Sequence, residues 1–326
     1  MLACTLTSVP DRQPPASQPS RAAILVNLAA NNHAAERKWR RIRAEVLTAL
    51  PADTLVLTYD PPFDLLACIR ELRDREHISC FISAGGDGTL NQVLNAVLRV
   101  FGDCPQRPYL GAIGLGSRND YHKPPRRHCL GIPLRIDLSA SLLSDVGQVR
   151  YTTESGEFIR YFLTGASVGL KAEADRLFNL GDPVIHALKH RFVNLTILYT
   201  AVRTLLAHHN IEVEVQHDAS PEMVELMNLS LVKRSEASAG FEYDLHSDDG
   251  YLGFILCHAM TKVDLVKVLR DLARQRFDRR NGRLAMLVRT ASLKAPTPIP
   301  LATDGELQFA RSAVFSVVQN KIALLC

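Results

Sequence analysis

Three glycines within four residues, in Gly85-Gly86-Asp87-Gly88-Thr89-Leu90-Asn91, are the first residues of this chain whose types and spacing imply chemistry. Such glycines let the backbone take φ > 0 and bring bare N–H groups close to an anion, and the helical pattern that follows presents its positive end to the same place. A nucleotide phosphate fits that nest. Asp87 lies inside it, and a carboxylate there is out of place unless a metal ion or a transferring proton needs it. A second glycine-rich segment, Gly114-Leu115-Gly116-Ser117-Arg118-Asn119-Asp120, offers another turn of the same kind. Far downstream, Asp304-Gly305-Glu306 supplies two carboxylates able to accept a hydroxyl proton. Each feature has a plainer reading, a ligand-free βα turn for the glycines and a solvent-facing hairpin for Asp304-Gly305-Glu306.

The elements that must position these residues alternate. Ala22-Ala23-Ile24-Leu25-Val26-Asn27 reads as a strand, 34–50 as a helix, 54–58 as a strand, 63–75 as a helix, 78–83 as a strand and 109–113 as a fourth strand. That alternation predicts a parallel sheet with right-handed crossovers. Ligands on such sheets sit beyond the carboxyl ends of the strands, where Asn27, Thr58 and both glycine turns fall. After Pro133 the pattern becomes β-rich, with strand-like runs at 148–153, 157–163, 211–216, 226–232, 253–258, 283–290 and 312–318. A second, mostly antiparallel domain is expected there. The organisation predicted is a disordered leader over 1–20, an α/β nucleotide-binding domain over 21–136 and a β-rich domain over 137–320. Trp39, the single tryptophan, stands at helical spacing with Ile42 and Val46 and is assigned to the core.

A chain of 326 residues with 47% hydrophobic content can bury a core large enough for two domains. Its seven cysteines include no C-x-x-C pair and are odd in number, which argues against a disulfide framework or zinc ribbon and for a reducing compartment. The first residues lack the charged and apolar regions of a signal peptide. The longest apolar stretch, 192–206, contains Asn194 and Arg203 and is too short to span a bilayer, so a buried helix and a cytoplasmic protein are expected. A formal charge of +4 does not argue for a nucleic-acid partner. Basic residues do gather in His122-Lys123-Pro124-Pro125-Arg126-Arg127-His128 and from Lys267 to Arg283. The plain reading is a solvated surface, and the functional one is reversible contact with an anionic membrane through Arg126, Arg127, Arg274, Arg276, Arg279 and Arg280.

The two glycine turns, Asp248-Asp249-Gly250-Tyr251-Leu252 and Asp304-Gly305-Glu306, in this order and spacing, resemble the diacylglycerol kinase catalytic-domain family. The nearest likeness is to its soluble bacterial lipid kinases, related to sphingosine and ceramide kinases, and it extends from Arg21 to Cys326. The resemblance implies a first domain like those of phosphofructokinases and NAD kinases, a C-terminal β-sandwich, and a last strand over 321–326 returning to the first domain. It implies ATP in the cleft between them, bound by Asn27, Thr58, Gly85, Gly86, Asp87, Gly88, Thr89, Leu90, Asn91, Ser117, Asn119 and Asp120. It also implies Mg2+, a lipid substrate such as diacylglycerol, and work at the inner face of a membrane. Glu306 takes the place of the catalytic carboxylate, with Asp304 beside it. Asp249 takes the place of a structural magnesium ligand, helped by backbone carbonyls near His246 and Tyr251.

Departures from the family pattern are Gln92 in place of Glu, Arg118 in place of a small residue, and Asn27-Leu28-Ala29-Ala30-Asn31 in place of Asn-Pro-x-Ser-Gly. A glycine-rich signature is reduced to Lys233-Arg234-Ser235-Glu236-Ala237-Ser238-Ala239-Gly240. Two rival readings are an NAD kinase-like phosphotransferase, which shares Gly-Gly-Asp-Gly-Thr, and a catalytically silent regulator binding nucleotide or lipid. The lipid and the oligomeric state are left open, a homodimer included.

Overall fold

The protein is seen in a computed structural model that describes residues 19–102, 104–125, 127–179, 193–207, 209–217, 221–234, 248–261, 263–264, 267 and 282–326. Four strands, β1 (Ala22–Asn27), β2 (Leu55–Tyr59), β3 (Cys80–Gly85) and β4 (Tyr109–Gly114), lie parallel in the order β2-β1-β3-β4. Every residue of β1, β3 and β4 is buried, as their continuous apolar runs require of a sheet covered on both faces. Helix α1 (Ala34–Thr48) lays Trp39, Ile42 and Val46 on one face, against Ile24, Val26 and Ile82. Helices α2 (Leu65–Asp74) and α3 (Asp87–Phe101) cover the other, packing Ile69, Val93, Leu94 and Val97 against Leu25, Phe81 and Leu110.

A short hairpin, β5 (Arg127–Cys129) and β6 (Ile132–Arg135), leads to an antiparallel region. It comprises β7 (Ser141–Thr153), β8 (Gly156–Phe162), β9 (Gly165–Gly169), β10 (Ile211–His217), β11 (Glu222–Val232), β12 (Leu252–His258), β13 (Arg283–Val288), β14 (Thr290–Thr303) and β15 (Glu306–Leu325). Strands run β13-β12-β11-β10-β14-β15, while β9 bridges β11 and β14, and β7 pairs with β15 and β8. Phe162, Phe254, Phe315 and Leu231, all fully buried, centre its core. The 20-residue β15 pairs with β14 and β7, and its far end then lies parallel to β4 through Ala323 and Leu324 opposite Tyr109 and Leu110. The architecture is an α/β nucleotide-type sheet joined to a β-sandwich.

Four of the described strands, the short β5 and β6, β9 and β14, are absent from the sequence reading. In β14 the prolines at 296, 298 and 300 demote a strand reading, and the ladder indeed breaks between Lys294 and Ile299 before resuming. β9 is only five residues long and contains two glycines, so it has little pattern to read. The apolar stretch at 192–206 does form a helix, α5 (Val193–Ala207), after the short α4 (Leu170–Asn179). Its buried residues include Thr196, Thr200 and Thr204, one turn apart, whereas Val202 and Leu206 are exposed. No described helix is long and apolar enough to cross a membrane. Of the basic residues singled out, Arg126, Arg274, Arg276, Arg279 and Arg280 lie outside the described residues, as does the segment 1–18. Arg127 stands 3.8 Å from Asp137.

Candidate active site

The carboxyl ends of β1, β3 and β4 face the β14–β15 hairpin across a cleft of about 350 Å³. The first domain contributes Asn27, residues 29–32, 86–89 and 116–118, and the second contributes Asp175 and residues 304–306. The cleft continues past Asp87, Arg118, Asp175 and Asp304 into a recess of about 290 Å³ that also includes Lys123, Thr164, Ser167 and Lys171.

The two glycine turns are one construction. The Gly85 carbonyl accepts hydrogen bonds from the amides of Leu115 (2.8 Å) and Gly116 (3.1 Å). A Cβ on Gly116 would stand 2.5 Å from the Gly86 Cα, so only glycine allows this approach. Asn119, with φ of 50°, donates its amide to the carbonyls of Gly114 and Gly116 and so closes the second turn. From α1, Lys38 Nζ donates to the carbonyls of Leu115 and Gly116, 2.9 Å each, and burial lowers its pKa. Asn27 donates to Thr89 Oγ1 at 3.0 Å and so ties β1 to the start of α3.

Asp87 is the first residue of α3, where the helix dipole favours negative charge. Its Oδ1 accepts the Tyr121 amide at 3.1 Å. Burial, then the neighbouring Asp120 carboxylate, push its pKa above the ordinary carboxyl value, against backbone donors at Tyr121 and Asp120 and the charge of Arg118. For Asp120 itself burial acts in the same upward sense, yet Arg118 and Lys123 hold it below its ordinary value. Arg118 reaches both Asp120 and Asp175 at 3.2 Å. A desolvated carboxylate with a second one beside it suits a hard divalent cation with oxygen ligands, so Asp87 fits the catalytic magnesium the resemblance implies.

Asp304 and Gly305 form the two-residue turn of the hairpin, with φ of 47° and 88° and Thr303 paired to Glu306. These signs are those of a type I′ turn. The hairpin reading was therefore right about geometry, but the turn points into the cleft. Asp304 is saturated with donors: its two oxygens accept the amides of Leu163, Thr164 and Gly165, the Thr164 hydroxyl and the Asn91 side-chain amide. A substrate proton would have to displace one of these five. Glu306 is differently placed. Its Oε1 lies 2.4 Å from where a Cβ on Gly88 would stand, and its Oε2 is 3.4 Å from Gln92 Nε2 and 3.6 Å from Arg160. The unusual Gln92 thus presents a donor to Glu306 where a glutamate would present a second negative charge.

Most residues expected at the site gather there, with divided duties. Asn27, Gly86, Asp87, Gly88, Thr89 and Ser117 line the cleft and Asp120 lines the recess. Gly85 and Asn119 shape the turns. Leu90 belongs to the hydrophobic core under α3, so its side chain is not a ligand contact. Asn91 is fully buried and braces Asp304, Arg160 and the Tyr161 carbonyl. Thr58 is exposed near the end of β2, the outer strand, and is not among the residues lining the cleft. The expected metal site at Asp249 does not fit a divalent ion: Lys233 Nζ lies 2.8 Å from Asp249 Oδ1 and 3.1 Å from the Tyr251 carbonyl. An ammonium already holds both oxygens at hydrogen-bond length, well beyond magnesium–oxygen distances of about 2.1 Å. His246 lies outside the described residues. Sequence reasoning passed over Lys38, Arg160 and Asp175, which are ordinary charged residues until the fold assembles them, and saw Lys233 only as a departure.

Residues 21–149 match the family model for the diacylglycerol kinase catalytic domain. The diacylglycerol kinase of Staphylococcus carnosus (strain TM300) is 25% identical over 237 residues, 71% of this chain and 71% of that protein. That of Bacillus subtilis (strain 168) is 28% identical over 191 residues, 57% of each chain. A crystal structure of a diacylglycerol kinase from Bacillus anthracis str. Sterne superposes with a TM-score of 0.61 at 14% identity, covering 95% of this chain and 97% of that one, a likeness of fold.

Proposed function

We propose that this chain, whose residues 21–149 match the model of the diacylglycerol kinase catalytic domain, is a kinase of that family and transfers the γ-phosphate of ATP to the hydroxyl of a lipid such as diacylglycerol. The observation that carries the reading is the position of Glu306, which crosses from the second domain to touch the glycine at the start of α3. A proton acceptor and a phosphate nest thereby share one cleft.

In this reading the amides of the two glycine turns hold the nucleotide phosphates, aided by the N-terminal end of α3. Asp87 holds Mg2+, directly or through water. When bound, that ion neutralises charge on the phosphates as the transfer proceeds. The acceptor hydroxyl comes from the recess beside Thr164, Ser167 and Lys171, and Glu306 takes its proton while the new O–P bond forms. The bond from the γ-phosphorus to the bridging oxygen breaks and ADP leaves. Asp304 acts by positioning, since its five donors tie the hairpin to β8, to Gly165 at the start of β9, and to α3. Most of the catalysis asked of such a site is alignment and charge stabilisation.

The test is transfer from γ-labelled ATP across a panel of diacylglycerol, monoacylglycerol, phosphatidylglycerol, sphingoid bases, polyisoprenoid alcohols and NAD, with products identified by mass spectrometry. Labelled phospholipid supports the reading. Labelled NADP points to the NAD kinase-like alternative, and nucleotide binding without any labelled product points to a silent regulator. Sedimentation with anionic and neutral vesicles tests the membrane contact, which should require anionic lipid and weaken with salt.

A further inference from the structure

Lys233 is one of the largest fully buried side chains of the protein, with 1% of its surface exposed. It follows β11 in the stretch where the family's glycine-rich signature has been lost. Its ammonium is met by oxygens from three segments: Asp249 Oδ1 at 2.8 Å, the Tyr251 carbonyl at 3.1 Å and Asp145 Oδ2 at 3.5 Å. The oxygens are themselves fixed. Asp145, on β7, accepts the Gly250 amide through Oδ2 and the Asn320 amide of β15 through Oδ1, and Asp249 accepts the Tyr251 amide. A fully buried carboxylate, Asp145, beside a partly exposed one, Asp249, demands a cation, and the buried one left alone would be strongly destabilising.

We propose that Lys233 is a built-in structural cation. Its ammonium stands in for the divalent ion at the Asp249 turn, so that the joint between β7, β11, the start of β12 and β15 is metal-independent. The exchange also reaches the active site. The Lys233 amide donates to the Thr164 carbonyl at 3.0 Å, and Thr164 holds Asp304. The next residue, Arg234, donates to the Tyr121 carbonyl at 3.0 Å, and the Tyr121 amide anchors Asp87. Lys233 is thus a positioning residue for both acidic groups, and the lost signature is replaced by a charge.

The proposal concerns stability and is independent of which acceptor is phosphorylated. Melting curves without nucleotide, in chelator and in millimolar Mg2+ or Ca2+, should shift for the wild-type chain no more than they do for Asp249→Asn. Lys233→Ala should melt lower by on the order of 10 °C, as removal of one partner of a buried ion pair predicts. Removing the ammonium also opens an oxygen-lined space, so Mg2+ or Ca2+ should recover part of that loss. The double variant Lys233→Ala/Asp249→Asn should not respond. A wild-type melting temperature that rises with the ion and ceases to do so in Asp249→Asn would overturn the proposal, and this comparison holds even if Lys233→Ala fails to fold. A Lys233→Ala variant as stable as wild type would overturn it equally.

Discussion

Gly88→Ala isolates the contact on which the assignment of Glu306 rests. Gly88 is the second residue of α3, it is not among the glycines with positive φ, and the three atoms nearest to an added methyl all belong to the Glu306 side chain, Oε1 at 2.4 Å first. To restore ordinary contact that carboxylate must retreat by about 1 Å, and a displacement of this size in a reacting group costs on the order of 10²-fold in rate, or about 2.7 kcal/mol. Alanine is the better helix former by up to about 1 kcal/mol, so the variant should melt no lower than wild type. The expected result is a stable enzyme whose kcat for lipid phosphorylation falls about a hundredfold while its KM for ATP changes little. Glu306→Gln should lose at least as much, and Gly88→Ala should then add almost nothing in the Glu306→Gln background, because both changes remove the same function. Full activity in Gly88→Ala, or equal losses in both backgrounds, would refute the role given to Glu306. Retained kcat in Glu306→Gln together with its loss in Asp304→Asn would move the base to Asp304.

Asp87→Asn should lower transfer by at least about 10³-fold. Because the fold raises this carboxyl's pKa, its stabilising contribution is present at low pH and lost as pH rises through the folded value, so the charge is a cost at neutral pH and the variant should melt higher in metal-free buffer. A lower melting temperature there would contradict the burial argument. Asp304→Asn places an NH2 group against donors and should cost about 3 kcal/mol in urea unfolding, with the antiparallel domain loosened first in hydrogen exchange. Lys38→Met leaves the Leu115 and Gly116 carbonyls without their ammonium and should raise KM for ATP about tenfold with a smaller change in kcat. His122 is buried and faces Arg135 and Arg234, which together push its pKa down to about 3 from 6.5. The unfolded chain therefore takes up the proton first, and stability should fall as pH drops from 6.5 towards 3, by about 1.4 kcal/mol per pH unit. His122→Gln should flatten that slope in urea midpoints measured between those values.

Sequence alone determined the parallel half of the fold and the identity of its ligand-facing turns. Runs such as Ala22 to Asn27 and Cys80 to Gly85 are mostly apolar and buried throughout because both sheet faces are covered, and the spacing of Trp39, Ile42 and Val46 follows one helix face, so local pattern suffices. Gly116 betrays itself because a side chain there would meet the Gly86 Cα where one turn approaches the other. Pattern could not supply what depends on two distant segments meeting. Asp304-Gly305-Glu306 is a good hairpin turn in isolation, and only the bonds from Asn91, Leu163, Thr164 and Gly165 turn one carboxylate into a brace, leaving its neighbour to face Gly88. Asn95 looks like a surface residue of α3, yet its amide pairs with both backbone groups of Tyr161 and docks β8 on the helix. Lys233 reads only as a departure from a glycine-rich signature until Asp145, 88 positions earlier, and Asp249 close around it. Charge has no periodicity to reveal its partner, so which carboxylate braces a hairpin, which meets a buried ammonium and which is left facing the cleft was decided by tertiary structure.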